Sequence, residues 1–270
     1  MTAFPSESGF LDVQGAPLYY EVAGQGYPLL LIHAGIADSR MWDEQFQVFA
    51  RQYRVVRFDL RGYGQSAIPP GLFADYEDPP ALLRSLSIDM AHVVGVSFGG
   101  KIAIDFTLAH PEMVSSLVLA APDAGGYPAF AEVRQFNEEE ARLLEQGDLD
   151  GAAELNVRTW VDGPRRTPEQ VNPAIRERVR EMQYHAFTVP VPEGADEIPL
   201  EPPAIERLAE IRVPTLLIIG EYDLEEKHAL VDLLATEIPG ARRVAVANAA
   251  HMVNMEQPEE FNRLVLDFLA

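Results

Sequence analysis

The 270-residue sequence contains no cysteine. That single absence removes disulfides, thiolate-bound metals and a cysteine nucleophile. It fits a reducing compartment, and a cytoplasmic location is expected. Positive charge is scarce: 21 Lys and Arg stand against 42 Asp and Glu, giving a formal net charge of −21 and a pI near 4.6. A surface of that sign repels phosphate backbones and anionic headgroups, which argues against nucleic-acid and membrane partners. Long apolar runs are missing too. Runs such as Leu29–Ile32 fall far short of the roughly 20 residues that span a bilayer. The opening stretch MTAFPSESGFLDVQGAP has neither the basic segment nor the apolar core of a secretory signal. There is no H-E-x-x-H and no tight His/Asp cluster, so neither a metal nor another cofactor is expected.

What is present is globular. Apolar residues make up 47% and charged residues 23%, outside the range of disordered chains. For a 29.9 kDa chain, area scaling implies burial of about three quarters of the unfolded surface. Short apolar runs alternate with longer amphipathic ones, the pattern of a mostly parallel sheet with helices on both faces. Strands are predicted at 18–22, 28–33, 53–58, 92–96, 116–120, 215–219 and 243–247. A further strand at 10–13 would form a hairpin through Gly15-Ala16. Helices are predicted at 41–51, 79–86, 98–110, 224–237 and 258–268. The alternation stops between Gly125 and Pro203, where the sequence reads helical and then proline-rich. Residues 1–124 and 204–270 are therefore expected to form an α/β core, with 125–203 inserted as a helical cap and Pro190–Pro203 as its return.

One stretch stands out against this background. Gly95-Val96-Ser97-Phe98-Gly99 matches G-x-S-x-G, with a predicted strand before it and a helix after it. A sharp strand-to-helix turn brings backbone segments so close that side chains at 95 and 99 would collide, and Gly100 gives further room. Such a turn presents the Ser97 hydroxyl above the sheet edge and aims a helix N-terminus at developing negative charge. The plainer alternative is a serine capping an ordinary helix.

A serine hydroxyl needs a base, and the base needs an orienting group. Two histidines follow in plausible places. His228 lies on an amphipathic helix, where a surface role fits better. His251, in ANAAHMVNMEQP, lies in the loop between the last strand and the last helix, at the carboxyl edge where such sheets carry their chemistry. For the acid, Asp223 follows the run TLLIIG; it could equally cap the helix behind it. Asp123, after SLVLAAP, is the rival, and Glu221 sits one residue early. The Phe98 amide at the helix start is the first candidate oxyanion donor. The second comes from the loop His33-Ala34-Gly35-Ile36, with Gly35 preferred to Ile36. His33 is expected to brace that loop. Ile36, Trp42, Phe130, Phe136, Trp160, Tyr184 and Phe187 are candidates for an apolar substrate pocket, although at least half of the cap aromatics would serve as packing.

Taken in order, LLLIHAGIADSRMWDEQ, FDLRGYGQS, GVSFGG, GEYD and AAHMVNMEQP resemble the α/β-hydrolase family, in its esterase and perhydrolase-like branch. The resemblance spans nearly the whole chain. It implies an eight-stranded sheet, with Ser97 as nucleophile, His251 as base and Asp223 as acid. One departure is Ala34, which stands where the family usually has glycine after the histidine. Asp59 and Arg61 are expected to lock a loop. A serine at the elbow implies a hydrolase acting on carboxylic esters through an acyl-enzyme, and the apolar pocket candidates favour small to medium, mostly uncharged substrates. Lactone hydrolysis, C–C bond hydrolysis and perhydrolysis use the same triad, and a binding protein that has lost turnover is the reading from another class.

Overall fold

The computed structural model describes residues 4–270. Eight strands form one sheet: β1 (Ser6–Val13), β2 (Ala16–Ala23), β3 (Tyr27–Ile32), β4 (Tyr53–Phe58), β5 (Ala91–Val96), β6 (Val114–Ala120), β7 (Thr215–Gly220) and β8 (Arg242–Val246). Their order is β1-β2-β4-β3-β5-β6-β7-β8. The pairs β1/β2 and β2/β4 are antiparallel, and every other pair is parallel. The mostly parallel, eight-stranded sheet is therefore as expected.

Period-two alternation divides the strand side chains between two cores. On one face Leu30, Ile32, Val93, Leu117, Leu119 and Leu217 are fully buried against α3 (Phe98–Ala109) and a helix at Glu225–Glu237. On the other, Leu29, Leu31, Val94, Val96, Val118 and Ile218 pack against α1 (Asp43–Phe49) and the C-terminal helix Pro258–Leu269. Near-continuous apolar strands are what two-sided burial requires.

The hairpin turn lies one residue earlier than predicted. Ala16 is buried and pairs with Val13, so Gln14 and Gly15 make the turn, both at positive φ (56° and 80°). That conformation matches the twist of a two-residue hairpin. The first predicted helix also divides, opening as a 3₁₀ turn at Ser39–Trp42 before α1 begins. Trp42 was a pocket candidate, but it is 0% exposed and lies 6.0 Å from the Phe261 ring. It packs in the core cluster that includes Phe46, Phe49 and Phe261.

Parallel register aligns the strand ends. Ile32 pairs with Gly95, Gly95 with Leu119, Leu119 with Leu217 and Leu217 with Arg243. The loops after β3, β5, β6, β7 and β8 thus emerge along one rim. Over that rim lie α4 (Ala131–Glu145), α5 (Leu149–Asn156) and α6 (Pro173–Ala186), together with a π-helical turn at Val157–Asp162. Gly147, at positive φ, breaks what the sequence presents as one helical run, and the Asp148 side chain caps the second half by accepting from the Gly151 amide. The chain returns through a short parallel ladder, Leu72–Phe73 with Asp196–Glu197, which the sequence did not suggest.

Below this ladder lies Asp75, buried, with Oδ1 unpartnered among the described residues. Burial, with Glu197 and Asp78 nearby, raises its pKa to about 7. The folded state therefore holds a proton that the unfolded chain has released. This contribution to stability is complete below pH 3.8 and is lost as pH rises through about 7. Melting temperatures between pH 6 and 8 should fall less steeply for Asp75→Asn than for the wild type, with the gap in the variant's favour widening as pH rises.

Candidate active site

Ser97 sits between β5 and α3 at φ 54°, ψ −119°. A non-glycine residue held there costs on the order of 1–3 kcal/mol, which the surroundings must offset. Four backbone bonds do so. The Ser97 amide donates to the Ala120 carbonyl (3.0 Å), and the Ser97 carbonyl accepts from Gly100 (2.8 Å), Lys101 (3.1 Å) and Asp123 (3.0 Å). The side chain caps nothing, so the helix-capping alternative fails. The flanking glycines are sterically required. A methyl group on Gly95 would meet the Gly99 carbonyl, and one on Gly99 would meet the carbonyls of Ile32 and His33.

The loop after β3 is braced by His33, fully buried, whose Nδ1–H donates to the Ala34 carbonyl (2.8 Å) while Nε2 accepts from the Leu60 amide (2.8 Å). Both partners have fixed roles, so they fix the tautomer. Burial lowers its pKa and keeps the ring neutral. Asp59 accepts from the Ser39 and Gln65 amides (each 2.8 Å), and Arg61 grips Asp78 through two bonds of 2.5 and 2.7 Å. Both act as loop locks, as expected. Gly35 rests on the elbow: a methyl group there would lie 3.2 Å from Phe98 Cβ and 3.4 Å from Tyr63 Oη. The Phe98 amide, first in its helix, has no carbonyl one turn back within that helix. Ile36 is buried in the core beside this loop.

Across the rim, His251 Nδ1 lies 2.9 Å from Asp223 Oδ2, and both residues are 1% exposed. The carboxylate selects the Nδ1–H tautomer and leaves the Nε2 lone pair free. Asp223 Oδ1 accepts from the Leu224 amide (2.8 Å), so the residue steadies the start of α7 (Glu225–Glu237) while holding the histidine. The loop comes this close because Gly220 has no side chain; a methyl there would strike the carbonyls of Ala249 and Ala250. Ser97 Oγ turns to Asp123 Oδ2 at 3.5 Å and makes no hydrogen bond to His251. Catalytic hydrogen bonds are commonly long before substrate binds. His228 lies outside, its Nδ1 3.4 Å from Arg243.

The remaining aromatics separate. Trp160, carried by the π-helical turn, lies 4.7 Å from the His251 ring, and its carbonyl accepts from the His251 amide (3.3 Å). Phe136 meets Trp160 edge-on at 5.3 Å. Phe130 is exposed, stacks on Tyr127 at 6.0 Å, and its amide donates to Glu226. Tyr184 is exposed on α6. Sequence reasoning missed Lys227. Its ammonium is buried, paired with Asp123 and 5.4 Å from the Trp160 ring centroid. The signal was faint: one lysine in the acidic run LEEKHAL.

The profile of the α/β-hydrolase fold matches residues 27–258. The chain belongs to the α/β-hydrolase family. This hydrolase is 31% identical to a putative carbamate hydrolase, RutD, of Azorhizobium caulinodans, over 94% of this chain and 95% of that protein. It is 26% identical to the carboxylesterase YbfK of Bacillus subtilis, over 89% and 79% respectively. Among solved structures, a hydrolase from Pseudomonas aeruginosa PA01 superposes with a TM-score of 0.80 at 31% identity, covering 97% of this chain and 98% of that one. No helix among the described residues is long and apolar enough to cross a membrane.

Because Gly99 touches two backbone carbonyls, Gly99→Ala should push the elbow away from the β3 loop. Overpacking of this kind costs about 1–3 kcal/mol, to be read as a lowered urea midpoint.

Proposed function

We propose that this hydrolase is a serine-dependent acyl hydrolase, a carboxylesterase acting on small to medium, mostly uncharged esters. The observation that carries the reading is the buried Asp223–His251 pair, its Nε2 uncommitted, at the same sheet rim as a serine in the left-handed backbone region. Ser97 Oγ attacks the ester carbonyl and passes its proton to His251 Nε2. Asp223 stabilises the imidazolium, and the Gly35 and Phe98 amides receive the developing oxyanion. The imidazolium then protonates the leaving alcohol. Water repeats the sequence on the acyl-enzyme with His251 again as base.

Residues 125–203 act in this proposal as a cap on a core formed by 1–124 and 204–270. Its selectivity comes through Trp160, which lies over the base, and Phe136 behind it. Trp42 has no part in the pocket. The similarity to YbfK, a carboxylesterase by name, supports an ester substrate.

Ser97→Ala should lower turnover of p-nitrophenyl acetate on the order of a million-fold and abolish labelling by a fluorophosphonate probe. Asp223→Asn should cost about ten thousand-fold, because it upsets the tautomer but leaves the nucleophile. Wild-type protein that neither turns over the ester nor takes the label would sink the reading and leave a binding scaffold.

A further inference from the structure

The chain has two lysines, Lys101 and Lys227, and both stand beside the elbow. Lys101 lies in the first turn of α3, 5.5 Å from the Phe98 ring centroid, and binds Glu197 (2.9 Å) and Asp105 (3.3 Å). Lys227 is the more telling. Its side chain is 3% exposed, in the first turn of the helix that follows Asp223, and it pairs with Asp123 Oδ1. Asp123 is 39% exposed, and its second oxygen, Oδ2, is the atom 3.5 Å from Ser97 Oγ. The lysine thus holds one carboxylate oxygen from within the protein and leaves the other facing the nucleophile. A backbone bond from the Asp123 amide to the Ser97 carbonyl fixes their separation.

Burying an ammonium costs several kcal/mol unless it is paired, so the arrangement is not a casual surface contact. Asp123 takes no part in holding His251, which Asp223 does. The proposed triad does not use it.

We infer that Asp123, positioned by Lys227, determines specificity by accepting a hydrogen bond from a neutral O–H or N–H donor on the atom next to the substrate's reacting carbonyl. This rests on Ser97 being the nucleophile. A carbonyl carbon in attack position stands about 3–3.5 Å from Oγ. Oδ2 is also 3.5 Å from Oγ, so a carbonyl carbon approaching on that side of the hydroxyl brings a donor on its neighbouring atom within hydrogen-bond range of that oxygen. The charge balance selects the donor's character. Lys227 offsets the carboxylate, so the pair offers little to a cationic substrate, and its open end repels an anionic one. Esters of 2-hydroxy acids, and acyl groups carrying an N–H at that position, fit these requirements.

The test compares p-nitrophenyl glycolate with p-nitrophenyl methoxyacetate, in which a methyl group caps the donor. For each protein, kcat/KM ratios are normalised to the rates at which hydroxide cleaves the two esters. The wild type should favour glycolate about tenfold, the value of one hydrogen bond to a charged acceptor. Asp123→Asn leaves Lys227 without a counter-charge and threatens folding, so the second variant is Asp123→Leu/Lys227→Met, which removes both charges. In the double variant the preference should fall to near one, whereas Asp123→Asn, which keeps a neutral acceptor, should lose part of it. A structural ion pair alone would not move this ratio. A wild-type ratio near one, or a double variant that keeps the wild-type preference, overturns this proposal alone. A wild type that cleaves neither ester overturns the serine-esterase reading, and this inference with it.

Discussion

Four backbone hydrogen bonds hold Ser97 in a conformation that serine rarely adopts, and the rest of the site is arranged around that turn. The Ala120 and Asp123 bonds tie the elbow to β6 and its following loop. The Gly100 and Lys101 bonds start the helix behind it. These contacts need backbone against backbone, which is why glycine occupies 95 and 99 and why the β3 loop can rest against the elbow. The sheet makes the same demand at Gly220, where the histidine loop crosses. Close approach at these places places a hydroxyl, an imidazole and a carboxylate along one rim.

The sheet was legible in the sequence because two-sided burial writes itself as apolar runs. Tyr53–Phe58 was read to the residue, and most other strands to within one or two at each end. The hairpin was misplaced by one position because Gly15 suggested a turn to its C-terminal side, whereas Gln14 takes the other positive-φ position. Trp42 is fully buried at the end of a 3₁₀ turn, which the sequence pattern does not separate from the helix behind it. The elbow and the histidine loop were readable because each has a steric requirement that only small residues meet.

Long-range pairing was not legible. Nothing near Lys227 announces that it meets Asp123, 104 residues earlier in the chain. Nor does VRTWVD announce a π-helical turn, since its composition is that of an ordinary helix. Widened turns of this type often occur at functional sites. Here the turn delivers Trp160 to the face of His251 and directs its carbonyl to that residue's amide. Ion pairs such as Arg176 with Asp162 (2.7 Å) hold the turn against α6.

The bond between the Trp160 carbonyl and the His251 amide has a mechanical consequence. Further along the chain, the ladder of Leu72–Phe73 with Asp196–Glu197 and the grip of Lys101 on Glu197 hold the returning segment. The π-helical turn also brings the Trp160 ring to 4.7 Å from the imidazole, and just beyond it Arg166 binds Glu256, whose carboxylate accepts from the Ala250 amide. Any displacement of residues 157–162 would therefore be felt directly at the imidazole.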